Sequence, residues 1–264
     1  MLLLHCESLL DRYHKNGNKI LLKTREESLV AHGGYDLEVY QKGGWYPVPS
    51  SPSSEARINI AHLIICVKAT QTVSALQPLK HRLSANSTIL FLQNGPNYIV
   101  GVVSHGVTLH RPFDITHSSF ATMSLGLIPS VSGASPSCEP SPQYLLDNLP
   151  RSPRLNAASY PYTEVLQIQL ERLAVDALCN PFCALNDAKD GFLFTIPDAR
   201  REILAEIWSV VLSLPELRSV PGVRERFAVD RVEDAVNAIL TKTAKGTCSM
   251  VGDLRTEVRF INGY

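Results

Sequence analysis

The apolar pattern changes character partway along this chain, and that change limits the fold more than any single motif. Up to about residue 130 the apolar residues fall in short runs separated by turn-forming residues. Residues 2–5, 19–23, 37–40, 62–67, 87–92, 98–104 and 107–116 read as strands. The nearly continuous run His62-Leu63-Ile64-Ile65-Cys66-Val67 is what a parallel strand covered on both faces requires. Residues 7–15 and about 70–83 read as helices, the first stopped by Asn16-Gly17-Asn18. His32-Gly33-Gly34 and Gly43-Gly44 read as turns flanking the strand at Leu37, and residues 47–55 as a Pro/Ser-rich loop. Beyond residue 142 the spacing becomes helical, with a 3.6-residue period over 164–185, 197–214 and 232–243. The expected organisation is therefore an α/β domain over 1–130, a Ser/Pro/Gly-rich linker over 131–154 and an all-helical domain over 155–264.

Composition narrows the classes of function. A formal net charge of zero gives no basis for binding nucleic acid or an acidic surface. No apolar run reaches the roughly 18 residues of a membrane span, so no membrane partner is expected. Met1-Leu2-Leu3-Leu4 is too short and lacks the basic lead of a signal peptide. Six cysteines (Cys6, Cys66, Cys138, Cys179, Cys183 and Cys248) form no C-x-x-C pair and read as buried, reduced thiols of an intracellular protein. A cytoplasmic location is expected, with the mitochondrion as the alternative.

The stretch Glu171-Arg172-Leu173-Ala174-Val175-Asp176-Ala177-Leu178-Cys179-Asn180-Pro181 is the most specific part of the helical domain. Residues four apart on a helix share a face, so Arg172, Asp176 and Asn180 form a polar stripe. Leu170, Leu173, Ala174, Ala177 and Leu178 are expected to face the core. Arg172 and Asp176 stand at the spacing of a helix-surface ion pair. Asn180 can either bind a ligand or cap a helix break before Pro181. His105 and His117 lack metal-ligand company and read as ordinary core or surface imidazoles; no metal site is expected.

The Arg172–Pro181 stretch resembles the signature that opens the C-terminal domain of ketopantoate reductases (2-dehydropantoate 2-reductases), which reads Lys-Leu-Ala-Val-Asn and then Asn-Pro. Here the lysine is Arg172 and the first asparagine is Asp176. Ile65-Cys66-Val67-Lys68-Ala69-Thr70-Gln71 resembles the family's strand-end lysine motif. Phe91-Leu92-Gln93-Asn94-Gly95 and Val103-Ser104-His105-Gly106 resemble segments that follow it. Ala188-Lys189-Asp190-Gly191 is similar to the family's Asn-Gly turn. Cys248-Ser249-Met250, Thr256-Glu257-Val258 and Ile261-Asn262-Gly263 are similar to its closing signature. The closest resemblance is to a fungal-like, truncated version of the family.

The resemblance implies a partial Rossmann-like dinucleotide-binding domain followed by the helical substrate domain. It also implies NADPH-dependent reduction of a small keto acid, ketopantoate, to pantoate. Arg172 would take the place of the proton-donating lysine. A guanidinium keeps its charge but is effectively never deprotonated, so it polarises a carbonyl better than it acts as an acid. Glu257 would bind the substrate hydroxyl as the second catalytic residue. Asn180, Ser249 and Asp176 would line the substrate, with Asp176 repelling a carboxylate. Lys68 and Asn94 would flank the cofactor, and a homodimer is the expected assembly.

The resemblance further implies a Gly-x-Gly-x-x-Gly phosphate loop ahead of the strand at Leu2, and the chain begins at that strand. A sheet lacking that central strand is expected to carry two unpaired edges. Weak or absent NADPH binding and impaired turnover follow. The alternative is a non-catalytic protein that uses the helical domain as a docking surface.

Overall fold

A computed structural model describes residues 1–24, 28–48, 59–92, 99–129 and 142–255. The chain divides into two compact units, Met1–Tyr162 and Thr163–Tyr264.

The first unit opens with β1 (Leu2–Leu4), α1 (Glu7–Lys15), β2 (Lys19–Thr24), β3 (Leu29–Gly33), β4 (Leu37–Gln41) and β5 (Gly44–Pro47). It continues through β6 (His62–Ile65), α2 (Thr72–Leu76) between two 3-10 turns, β7 (Thr88–Phe91), β8 (Ile99–Val103) and β9 (Gly106–Arg111). It closes with β10 (Asp114–Ser119), β11 (Met123–Leu127), α3 (Gln143–Asn148) and β12 (Ala157–Ser159). Among the described residues the strands form three sheets, ordered β1-β4-β5, β3-β2-β10-β9 and β12-β11-β8-β7-β6.

The five-stranded sheet follows from the apolar runs. β6, β7 and β8 are parallel, and every residue of β7 is buried. Side chains alternate across a strand. Ile89 and Phe91 accordingly join Ile60, Leu63, Ile65 and Leu79 on one face, while Leu90 joins Ile99, Met123 and Leu125 on the other. Leu145 and Leu146 of α3 complete that second cluster. Part of the stretch expected as linker is thus a helix, and its part over 131–141 lies outside the described residues.

β1 ends one sheet and β6 ends another, with no ladder between them among the described residues. Leu3 and Trp45 nonetheless pack against the Ile60–Phe91 cluster. Glu38 of β4 and Arg82, at the end of the turn that precedes β7, form a buried bidentate pair at 2.5 and 3.1 Å.

Several details depart from the sequence reading. The single strand expected over 107–116 is a hairpin, β9–β10, because Pro112 cannot donate to a ladder. Phe113 takes φ +68°, and Arg111 bridges to Asp114 at 3.1 Å. His32 and Gly33 belong to β3, and the turn follows at Gly34, at φ +76°. Lys42 and Gly43 both have positive φ, the requirement of a two-residue hairpin turn, and Gly44 already belongs to β5. Residues 70–83 form short pieces, since Pro78 interrupts a continuous helix.

The second unit contains α4 (Tyr162–Leu185), a 3-10 turn at Asp190–Thr195, α5 (Pro197–Ser213), α6 (Val223–Arg226), α7 (Val229–Thr243) and α8 (Ser249–Arg255). Its core includes Leu178, Cys183, Leu193, Leu204, Trp208, Phe227, Val236 and Leu240. A fully buried side chain of this kind contributes about 1.5–3 kcal/mol. Trp208 stacks on Phe227 with centroids 4.8 Å apart. Arg226 of α6 holds Glu171 at 2.6 and 3.1 Å and Glu164 at 2.6 Å, tying α6 to α4. Arg201 bridges Asp230 at 2.6 Å and also pairs with Glu233, tying α5 to α7.

α4 buries a face rotated from the expected one. Ala174, Val175, Leu178, Cys179 and Cys183 are buried, whereas Leu173 and Ala177 are exposed. The core partners favour the line through Val175 and Cys179, two residues not among those expected on the core face from helix spacing. α4 also runs through Pro181 without a break. Proline removes the bond to the carbonyl four residues back, that of Ala177, and Ala177 lies on the exposed side.

Candidate active site

The polar stripe of α4 forms as its spacing requires. Arg172 Nε donates to Asp176 Oδ2 at 3.2 Å, with the two side chains 44% and 37% exposed. Asn180 follows one turn on and is half-buried. Its carbonyl lies 4.0 Å from Cys248 Sγ, a weak thiol contact that brings the start of α8 against α4. Ser249 is the exposed first residue of α8. The structure therefore gathers Arg172, Asp176, Asn180 and Ser249 along one side of the helical unit.

A fifth polar residue joins them. Asp190 begins the turn after α4 and is 9% exposed. Its backbone N–H donates to the Gly246 carbonyl at 3.2 Å, and the Gly191 N–H donates to the Ala244 carbonyl at 3.1 Å. A Cβ on Gly191 would stand 2.9 Å from that same Ala244 oxygen, so only glycine permits this approach. Among the described residues Asp190 Oδ1 has no hydrogen-bond partner.

The local field is negative. Burial pushes the Asp176 carboxyl above the usual range; Arg172 opposes the rise and the Asp190 charge adds to it. Burial pushes the Cys179 thiol up to about 12, with the Asp190 charge the next contribution. Burial likewise raises Cys183 to about 11, with Cys248 and Asp190 adding to the shift. Both thiols are therefore protonated and inert at neutral pH. Among the described residues no cysteine is in a disulfide; Cys66 is exposed, contrary to the expected burial, and Cys138 lies outside those residues.

In the first unit, Lys68 lies exposed just beyond the C-terminal end of β6, the edge at which open α/β sheets hold their ligands. Asn94 and Glu257 lie outside the described residues. A dinucleotide pyrophosphate needs a glycine turn between a strand and a helix N-terminus. Here β1 leads to α1 through His5-Cys6, with Glu7 in the first helical turn. The positive-φ glycines Gly17, Gly34 and Gly43 all occupy other kinds of turn. The described residues therefore do not fit the dinucleotide phosphates.

Sequence reasoning missed that His105 and His117 meet. His117 Nε2 lies 3.0 Å from His105 Nδ1, and His105 Nε2 lies 2.8 Å from the Leu155 carbonyl. That carbonyl and the Ala121 N–H at 3.1 Å fix the roles: Nε2 of His105 donates and Nδ1 accepts. His117 must then donate from Nε2. Only the β9–β10 pairing could have revealed the contact. No group of three or more metal-binding side chains exists among the described residues.

A parallel-stranded α/β unit is followed by a helical unit with a polar stripe on its opening helix, the layout of a Rossmann-like domain with a helical domain behind it. The family models for ketopantoate reductase PanE/ApbA and for its C-terminal domain match residues 8–130 and 164–264. The chain belongs to the ketopantoate reductase family. A probable 2-dehydropantoate 2-reductase of Schizosaccharomyces pombe is 27% identical over 81% of this chain and 70% of its own length. Ketoisovalerate reductase BEA2 of Gibberella fujikuroi is 26% identical over 77% of the chain and 58% of its own length. The chain thus spans between somewhat over half and seven tenths of these relatives.

Solved structures agree on the fold. The PanE/ApbA family ketopantoate reductase of Ralstonia eutropha aligns with TM-score 0.65 at 16% identity, covering 96% of this chain and 76% of that one. A dimeric ketopantoate reductase of Staphylococcus aureus aligns at 0.60 with 13% identity, covering 90% and 74%. Among the described residues no helix is long and apolar enough to cross a membrane.

Proposed function

We propose that this chain is a 2-dehydropantoate 2-reductase-type oxidoreductase whose turnover of keto acids is impaired. The observation that carries this reading is the Arg172–Asp176 ion pair on the substrate stripe of α4. Reducing a keto acid requires a proton for the new alkoxide and a cation to hold the carboxylate. Arg172 is never deprotonated at working pH and its charge is engaged by Asp176, so it polarises a carbonyl weakly and donates no proton. Asp176 repels the substrate carboxylate.

Asn180 and Ser249 would hydrogen-bond the substrate, and Glu257 would receive its hydroxyl. NADPH is the cofactor the family reading supplies, with Lys68 and Asn94 at its edge and Met1–Tyr162 as a partial binding domain. NADPH would supply the hydride. The residues described do not build its phosphate cradle, so weak binding is part of the proposal. The substrates in the relatives' names, 2-dehydropantoate and ketoisovalerate, are both branched 2-oxo acids, and that is the class assigned. A homodimer completes the reading, on the precedent of the S. aureus structure.

The test is NADPH oxidation with 2-dehydropantoate, beside calorimetric titration of NADPH. No detectable oxidation is expected, either in this chain or in the Arg172→Lys/Asp176→Asn double variant. Low-micromolar NADPH binding with steady oxidation would overturn the proposal. Turnover by the double variant alone would place the lesion on the stripe rather than at the cofactor.

A further inference from the structure

We propose that Leu173 and Ala177 of α4 are specificity-determining residues. Their exposed side chains take the branched alkyl group of the 2-oxo acid whose polar end meets Arg172, Asp176 and Asn180. The inference rests on the proposed reading of that stripe as the substrate stripe, and deepens it by naming what selects the carbon chain.

A helix on the outside of a domain ordinarily turns polar side chains to water. The second half of α4 does the reverse. From Leu170 to Leu185 its exposed residues are Arg172, Leu173, Ala177, Pro181 and Leu185. The four after Arg172 are apolar and stand four residues apart, so they form one line along the helix. Leu173 is 48% exposed and Leu185 85%. The core takes a different side, through Ala174, Val175, Leu178 and Cys183. Single exposed leucines are normal on a protein surface. A line of four apolar residues with no polar side chain in it is a surface that favours an apolar neighbour.

The polar stripe says which part of the line meets a substrate. Residues three apart on a helix are neighbours, with Cβ atoms about 5–6 Å apart. Leu173 stands three before Asp176, and Ala177 three before Asn180. Line and stripe therefore run side by side over this stretch, whereas Leu185 lies beyond the end of the stripe. The substrates in the relatives' names, 2-dehydropantoate and ketoisovalerate, both branch at the carbon next to the oxo group. A molecule so short, with its polar end on the stripe, sets its branch on the adjoining line. Leu173 supplies apolar surface there, and Ala177, which ends at Cβ, leaves room beside it.

The test compares two 2-oxo acids of equal charge, pyruvate and ketoisovalerate, so that effects of the carboxylate cancel in the ratio of their affinities. Both are titrated, without cofactor, into the full 15N-labelled chain carrying Asp176→Asn, which frees Arg172 to hold the carboxylate. Amide resonances of residues 172–181 are followed. Ketoisovalerate has two more methyl carbons, and burying them on one side is expected to tighten its binding about three- to tenfold. Leu173→Ala is expected to bring the ratio to within about twofold, and an NOE should connect the ligand methyls to those of Leu173. Leu185→Ala, on the same line but past the stripe, is expected to leave the ratio unchanged. Both leucines are exposed, so neither replacement threatens the fold. Binding of both acids at residues 172–181 with a ratio near one would overturn the inference and keep the stripe as the substrate site; no binding there would overturn both. The inference also fails if Leu173→Ala leaves the ratio standing, or if Leu185→Ala lowers it as much. Sedimentation showing a dimer that Leu173→Ala dissolves would give the line to a second copy and overturn it too. Steady NADPH oxidation by the parent chain would defeat the proposed impairment without altering these ratios, so the two readings fail separately.

Discussion

Removing one partner of the Glu38–Arg82 pair should destabilise the first unit more than any surface change. Both side chains are nearly inaccessible, at 6% and 7%, and their two hydrogen bonds span 2.5 and 3.1 Å. Glu38 belongs to the three-stranded sheet, whereas Arg82 precedes β7 of the five-stranded one, and its carbonyl accepts the Ile60 N–H at 2.8 Å. Glu38→Leu removes the carboxylate that both of these guanidinium bonds meet, and Arg82→Met leaves a buried carboxylate without its cation. Each should cost about 3–5 kcal/mol, against a total of about 5–15 kcal/mol for an ordinary domain. With a urea slope of about 1–3 kcal/mol per molar, the midpoint falls by at least about 1 M. The double replacement removes both charges together and should cost clearly less than the two single replacements summed. The chain has two tryptophans, Trp45 in the first unit and Trp208 in the second. Emission of Trp45 in a Trp208→Phe background therefore follows the first unit alone. Single replacements that each lose under about 1 kcal/mol, or a double variant that loses their sum, would refute the reasoning.

Three further outcomes are expected. The folded-state carboxyl of Asp176 is raised by burial, so its contribution to stability is present below its ordinary value and lost as pH rises through the raised one; melting temperatures from pH 4 to 7 should show the chain losing ground to Asp176→Asn, and a gain with pH would contradict this. Cys179 and Cys183 should react with a maleimide at pH 7.5 at least about a hundredfold more slowly than the partly accessible Cys6, as peptide mapping over time would show. Gly191→Ala forces a methyl within 2.9 Å of the Ala244 carbonyl oxygen and should cost about 1–3 kcal/mol by thermal melting; an unchanged melting temperature would mean that the turn yields freely.

Local chemistry made part of this molecule legible and long-range packing hid the rest. α1 starts and stops at Glu7 and Lys15, as its turn residues dictate, and the Ile89-Leu90-Phe91 run of β7 marks an interior strand. The Arg172–Asp176 pair followed from helix spacing alone. By contrast, β3 (Leu-Val-Ala-His-Gly) and β12 (Ala-Ala-Ser) are short edge strands without apolar–polar alternation, so no period marks them. The burial of Val175 rather than Leu173 was set by which side of α4 the other helices cover. Asp190 escaped notice as a site residue for the same reason: its importance lies in being enclosed, and enclosure by residues 244–246 cannot be seen from a turn sequence. His105 and His117 are twelve residues apart and meet only through the hairpin between them.

The order of strands also dictates a timetable for synthesis. β2 pairs with β3 at once, but its other neighbour, β10, lies about ninety residues further along, with Leu21 opposite Asp114. At the roughly 5–20 residues per second of a ribosome, the Leu21–Leu22 edge waits on the order of 5–20 s for its partner. The β2–β3 hairpin spends that interval as an open template, while β4 and β5 close locally beside it. Until residue 114 has left the ribosome, that edge is the part of this sheet most open to wrong pairing.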